Sequence, residues 1–127
     1  DVYSGHVKLD GDEDLSTLRA ANNYAASLLD MNRLKEAKAL MQKTIPVGRR
    51  VLGENNELVL KIRSLYAKAL YKDSGSTLDD LREAVTTLEE IERTARRVFG
   101  GAYPLTEAIE RELRDARAKL AAREAEG

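Results

Sequence analysis

The chain has 127 residues, with 21 basic and 22 acidic side chains, a formal net charge of −1 and no cysteine. This length suits about one domain, and the balanced charge gives no overall attraction to nucleic acid or to an anionic membrane surface. The lack of cysteine excludes disulfides, thiolate metal sites and cysteine nucleophiles, and no apolar run is long enough for membrane insertion.

Aromatic residues are scarce, at 5% of the chain, so the core must be built mainly from Leu, Ala, Val and Ile. Such a core favours an all-α fold over a sheet sandwich. The absence of cysteine fits a cytoplasmic, intracellular location. Residues 1–13 lack the basic start and apolar stretch of a signal peptide and are interpreted as a leader. Because the chain begins with Asp1 and not Met, we expect it to be a piece or a processed form of a longer protein.

Apolar residues recur every three or four positions in five stretches, which predicts five helices. The predicted helices run from Leu15 to Asp30, Leu34 to Leu52, Leu58 to Lys72, Leu78 to Phe99, and Pro104 into the tail. Asp14 or Ser16 is expected to cap the first helix. Thr77 and Asp80 are expected to form a capping box at the start of the fourth. A glycine follows the second and the fourth helix, as is typical of helix ends.

Two residues inside the second predicted helix break the helical pattern. Pro46 removes a backbone hydrogen bond, and Gly48 costs roughly 1 kcal/mol relative to alanine. We therefore expect a kink there, or two shorter helices in place of one.

The helices repeat as pairs. The Tyr-Ala dipeptide of the first helix recurs 42 positions later in the third, and a Leu-basic-Glu-Ala motif of the second helix recurs 47 positions later in the fourth. The extra five positions correspond to the polar break 73–77. Small residues at these places let paired helices approach closely, with larger neighbours such as Tyr24 and Met41 filling the space around them. The repeat positions are Tyr24, Ala25, Ala37, Tyr66, Ala67 and Ala84.

Three motifs in order carry a resemblance to a known family: Asn22-Asn23-Tyr24-Ala25, Leu34-Lys35-Glu36-Ala37 and Arg50-Val51-Leu52-Gly53. They resemble the long tetratricopeptide repeat (TPR) of kinesin light chains, over roughly residues 11–120. The resemblance implies a right-handed superhelical solenoid of antiparallel helix pairs. It divides the single domain, residues 14–125, into repeat one (14–53), repeat two (57–100) and a terminal capping helix (104–125). In the third unit Arg114 takes the small-residue position, so the match is weaker there.

In this family the first helix of each pair lines a concave groove that holds peptides. The resemblance therefore points to Asn23, with Asn22 beside it, as the residue that holds a peptide backbone. The second unit departs from the paired asparagines and has Ser64 and Leu65 there, of which Ser64 is predicted to line the groove. The alternative is a structural hydrogen bond between neighbouring helices.

Basic residues are predicted on the same groove. Lys61, Lys68 and Lys72 share one helix face, and Arg19 occupies the position that matches Lys61. Together they could favour an acidic peptide segment through charge-assisted hydrogen bonds. The alternative interpretation is an ordinary solvated face.

The sequence offers little that would support catalysis. His6, the one histidine, has no nucleophile or carboxylate at a fixed spacing, and the acidic run 10–14 lacks calcium-loop spacing. We therefore predict a non-enzymatic protein-binding scaffold or adaptor without a cofactor or metal. The alternative is a structural assembly module that packs by its helical ends within a larger multi-chain complex, or by self-association.

Overall fold

A computed structural model of the protein describes the backbone of residues 11–126 and the side chains of residues 15–126. The predictions for residues 1–10, His6 among them, concern a part of the chain outside the described residues. Five α-helices and no strand are found in this part, which confirms the predicted all-α fold with five helices. The helices are α1 (Gly11–Asp30), α2 (Leu34–Leu52), α3 (Glu57–Lys72), α4 (Leu78–Phe99) and α5 (Pro104–Glu126).

One of the two predicted N-terminal helix caps is confirmed and the other is wrong. The capping box of α4 is confirmed: the Asp80 amide donates to Thr77 Oγ1 and the Thr77 amide donates to Asp80 Oδ2, both at 3.0 Å. For α1 the predicted caps, Asp14 and Ser16, are wrong, because the helix already begins at Gly11 and both residues lie inside it.

Both complete helix pairs end at a glycine with the same backbone conformation. Gly53 and Gly100 have φ angles of +89° and +94°, a region that side chains with a Cβ rarely adopt. Their amides donate to Arg49 O at 3.2 Å and to Arg96 O at 3.0 Å, closing the last turns of α2 and α4. The repeat in the sequence therefore corresponds to a repeated backbone turn.

The second helix is a single element, so the expectation of two shorter helices is wrong. Pro46, which removes the backbone donor to the Gln42 carbonyl, is exposed, as is Gln42 itself. Gly48 is buried, and a Cβ added there would lie 3.3 Å from Cγ2 of Val59 and 3.8 Å from Cδ2 of Leu18. The glycine thus lets α2 approach α3 and α1 closely.

The helices pack in two rows. Each helix packs on the next along the chain, and α1 also packs on α3, and α3 on α5. Within the described residues no Cα atom of α2 lies within 8 Å of a Cα atom of α4. We call α1, α3 and α5 the first-helix row. This order of contacts is that of stacked hairpins, while the right-handed superhelical twist stays a prediction.

The predicted small-residue contacts are buried. Ala25 and Ala37 are 0% exposed in one apolar cluster, and Ala67 and Ala84 are 0% exposed in another. Tyr24 was expected to fill space beside them, but it is 54% exposed. That expectation is wrong because no helix described here covers this face of α1. The equivalent Tyr66 is partly buried between helix pairs.

The third unit follows a different register from the one expected. The buried residues of α1 are Thr17, Leu18, Ala21, Ala25 and Leu28, and adding 88 to each number gives the buried residues of α5: Leu105, Thr106, Ile109, Leu113 and Ala116. Leu113 therefore takes the position of Ala25, and Arg114 is exposed. The expectation for Arg114 is wrong because the buried positions of α5 match those of α1 at an offset of 88, one less than the offset that aligns the glycines.

The five-residue insertion between α3 and α4 is fastened by α5. Lys119 Nζ donates to the carbonyl oxygens of Tyr71 and Asp73, the latter at 3.2 Å. Arg123 Nη1 donates to Ser76 O at 2.5 Å, and the Ser76 hydroxyl donates to Asp73 O at 2.7 Å. Side chains 46 to 48 positions away thus satisfy carbonyls at the end of α3 and in the insertion that follows it.

Replacing Gly48 by leucine tests the close approach of α2. Gly48→Leu should lower the free energy of unfolding by about 1–3 kcal/mol, because the added side chain overpacks the contact with Val59. Lys43→Leu, on an exposed position of the same helix, should change it by less than about 0.5 kcal/mol. Denaturant unfolding followed by circular dichroism measures both. Equal effects of the two substitutions would contradict the packing.

Candidate functional site

A cleft of about 500 Å³ lies between α1, α3 and the start of α5. Its wall includes side chains from every helix of the first-helix row, and most of its lining is apolar. The lining residues are Asn22, Ala26, Glu57, Lys61, Ser64, Leu65, Lys68, Tyr103, Pro104, Leu105, Ala108 and Glu112. A mostly apolar lining with a few polar groups is the usual composition of a binding site.

Four of the residues predicted from the sequence line this cleft: Asn22, Lys61, Ser64 and Lys68. Asn22 and Ser64 occupy equivalent positions, 42 residues apart, in α1 and α3. Successive repeats therefore contribute the same position to one cleft.

The other three predicted residues lie elsewhere. Arg19 and Asn23 are exposed on α1 and do not line the cleft. Lys72 lies at the end of α3, beside a separate depression, with Nζ 5.6 Å from the centre of the Tyr71 ring. The structure therefore gives Asn22 the position in the cleft that the resemblance gave to Asn23.

Each lysine of the cleft faces a glutamate. Lys61 Nζ is 3.5 Å from Glu57 Oε2, and Lys68 Nζ is 3.6 Å from Glu112 Oε2. Sequence reasoning missed both glutamates. Glu57 precedes Lys61 by four positions in the same helix, a spacing that could have revealed the pair. Glu112 comes from α5, and nothing local in the sequence places it opposite Lys68.

Two tyrosines hold these glutamates. The Tyr103 hydroxyl donates to Glu57 Oε1 at 2.6 Å, and the Tyr71 hydroxyl donates to Glu112 Oε1. The hydrogen bond from Tyr103 lowers the pKa of Glu57 and the same bond raises the pKa of Tyr103. Burial, followed by the bond to Glu112, raises the pKa of Tyr71. Stacking on Phe99, with ring centroids 4.7 Å apart, fixes the Tyr103 ring.

One polar atom at the cleft is left without a partner. The side-chain oxygen of Asn22 is buried and has no hydrogen-bond partner among the residues that the structure describes, although the residue as a whole is half-buried. A buried amide oxygen without a partner costs free energy. Because this oxygen has almost no exposed surface, a ligand in the cleft could bond to it only after the Asn22 side chain rotates.

Two other kinds of site are absent from the part of the chain that the structure describes. No group of three or more His, Asp or Glu side chains there could hold a metal ion. None of the helices found there is both long and apolar enough to cross a membrane.

The family model of the tetratricopeptide repeat matches residues 17–57. This stretch covers most of α1, all of α2 and the first residue of α3, and the match supports a tetratricopeptide repeat there. No curated protein and no solved structure matches the chain. The narrower assignment to the kinesin light chain type stays a prediction.

The Glu57–Tyr103 contact predicts a pH dependence. Glu57→Gln removes the charge but keeps an oxygen that can accept from Tyr103. Because folding lowers the pKa of Glu57, the wild type should be more stable than this variant at pH values above the ordinary pKa of 4.5. It is lost as the pH falls through the lower pKa of the folded protein. Denaturant unfolding at several pH values measures this difference.

The same pair of measurements in a chain that also carries Tyr103→Phe is the control for that pH dependence. Tyr103→Phe removes the main cause of the lowered pKa, so the effect of Glu57→Gln on stability should shrink at neutral pH. If the stability change caused by Glu57→Gln stays the same at pH 3, or is unaffected by Tyr103→Phe, the Tyr103 hydrogen bond is not the cause of the lowered pKa of Glu57.

Proposed function

We propose that the chain is a protein-interaction scaffold or adaptor that binds a peptide segment of a partner protein in the cleft between α1, α3 and α5. Tetratricopeptide repeats are generally protein–protein interaction modules and are typically non-enzymatic. The observation that carries the proposal is the cleft itself, because equivalent positions of successive repeats meet there in a mostly apolar lining.

The row arrangement supports a concave binding face. Neighbouring helices of the first-helix row bring Cα atoms within 8 Å of each other, whereas α2 and α4 do not do so in the part of the chain that the structure describes. In a curved stack the elements on the inside lie closest together, so α1, α3 and α5 would line the inner, concave side. A cleft on that side can hold an extended or helical segment.

The polar residues of the cleft suit a peptide. The Asn22 amide can both donate to and accept from a peptide backbone, and the Ser64 hydroxyl can do the same. The net charge of −1 gives no reason to propose a nucleic-acid partner. We keep the cytoplasmic location and the kinesin light chain type as part of this proposal.

Blocking the cleft tests the proposal. Ala26→Glu places a larger, charged side chain in the cleft and should weaken binding of peptides on an array of random 12-residue sequences by at least about tenfold. The matched control is Ala39→Glu, on an exposed position of α2, which should leave binding unchanged. Equal binding by both variants and the wild type would contradict a binding role for the cleft.

An alternative function is favoured by the uncovered face of α1. We call this the α1 end face, formed by the exposed residues Ser16, Ala20, Asn23, Tyr24 and Ser27. The residues 42 positions later all pack on the first helix pair: Leu58, Ile62, Leu65, Tyr66 and Ala69. A partner chain could therefore stack on α1 as α3 stacks on the first pair. The serines, alanine and asparagine of the α1 end face make this contact less apolar than its equivalent in α3.

Self-association through the α1 end face has a direct test. In this alternative the mass measured by light scattering rises with protein concentration, and Tyr24→Lys abolishes the rise because it places a charge in the contact. The control Ala122→Lys, on an exposed position of α5, should leave the rise intact. A mass of one chain at every concentration would contradict self-association.

A further inference from the structure

The charged groups of the cleft cancel. Two basic and two acidic side chains line it, so their formal charges sum to zero: Lys61, Lys68, Glu57 and Glu112. Each lysine lies within 3.6 Å of its glutamate. A cleft in which every lysine is matched by a carboxylate has no net attraction for an acidic segment. This differs from the basic lining that the lysines alone indicate.

The two carboxylates that cancel the lysine charges are held in place by hydrogen bonds from tyrosines. The Glu57 carboxylate accepts from Tyr103, whose ring is stacked on Phe99, and the Glu112 carboxylate accepts from the buried Tyr71. Both carboxylates are thus held by groups that belong to the packed structure. An incoming acidic group would have to compete with these fixed carboxylates for the same lysines.

Between the two ion pairs the cleft is mainly apolar. Leu65 of α3, together with Leu105 and Ala108 of α5, forms this part. Lys61 and Lys68 are seven residues apart, which is about 10 Å along the axis of α3. That length corresponds to about three residues of an extended segment, or about two turns of a helix.

Building on the binding function proposed above, we infer that the cleft selects an apolar partner segment, of about three extended residues or two helical turns, that carries no net negative charge. The apolar side chains of the segment occupy the space between the Lys–Glu pairs, and its backbone bonds to the Asn22 amide after that side chain rotates toward the cleft. Affinity then comes from apolar burial and backbone hydrogen bonds and not from attraction between opposite charges.

The array of random 12-residue peptides tests the inference through the composition of the peptides that bind. Peptides that bind the wild type and lose binding with Ala26→Glu should contain a short apolar run and no excess of Asp and Glu. Their affinity, measured by fluorescence polarisation, should change less than about twofold between about 50 and 500 mM NaCl, because screening acts on charge attraction. Acidic binders with steep salt dependence would overturn the inference and leave the proposed function standing.

A double variant makes the test sharper. Glu57→Gln with Glu112→Gln removes both carboxylates, keeps oxygens that accept from the tyrosines, and leaves Lys61 and Lys68 unmatched. Acidic peptides should then bind roughly fivefold more tightly than to the wild type, in a salt-dependent manner. No gain, with the fold retained by circular dichroism, would overturn the charge cancellation. An array without any binding sensitive to Ala26→Glu would overturn the proposed function and the inference together.

Discussion

The structure depends on α3, which packs on all four other helices of the described chain. This is possible because α3 is apolar on several sides: Ile62 and Ala69 belong to the cluster shared with the first pair, and Leu60, Ala67 and Leu70 belong to the cluster shared with α4 and α5. The remaining side of α3 lines the cleft. The same helix therefore joins the repeats and forms the centre of the candidate site.

Much of the fold could be predicted from the sequence because its signals are local. Apolar spacing predicts five helices, and the capping box at Thr77 and the glycines after α2 and α4 mark their ends. The errors concern contacts between distant parts of the chain. In the sequence Gly48 resembles a helix breaker, whereas in the fold it lies beside Val59 of α3. Tyr24 has the sequence position of a core residue, whereas in the fold it is more than half exposed.

The candidate site was predictable only in part, for the same reason. Asn22, Ser64 and the two lysines follow from the repeat and from a resemblance to a family, since they lie on α1 and α3. The opposite wall comes from the turn before α5 and from α5 itself, where the register differs by one residue from the repeat in the sequence. Glu112 of that wall pairs with Lys68, and Glu57 of α3 itself pairs with Lys61, so a face that looks basic in the sequence becomes a balanced cleft in the fold.

Native-state amide hydrogen exchange tests the central position of α3 most directly. If α3 holds the helix pairs together, amides in its middle, around Ala67, should exchange only through global unfolding and be the most slowly exchanging of the described helices. Amides near the end of α5 should exchange much faster, because the residues from Ala121 onward are mostly exposed. Exchange in the middle of α3 that is as fast as in α1 or α5 would contradict this account.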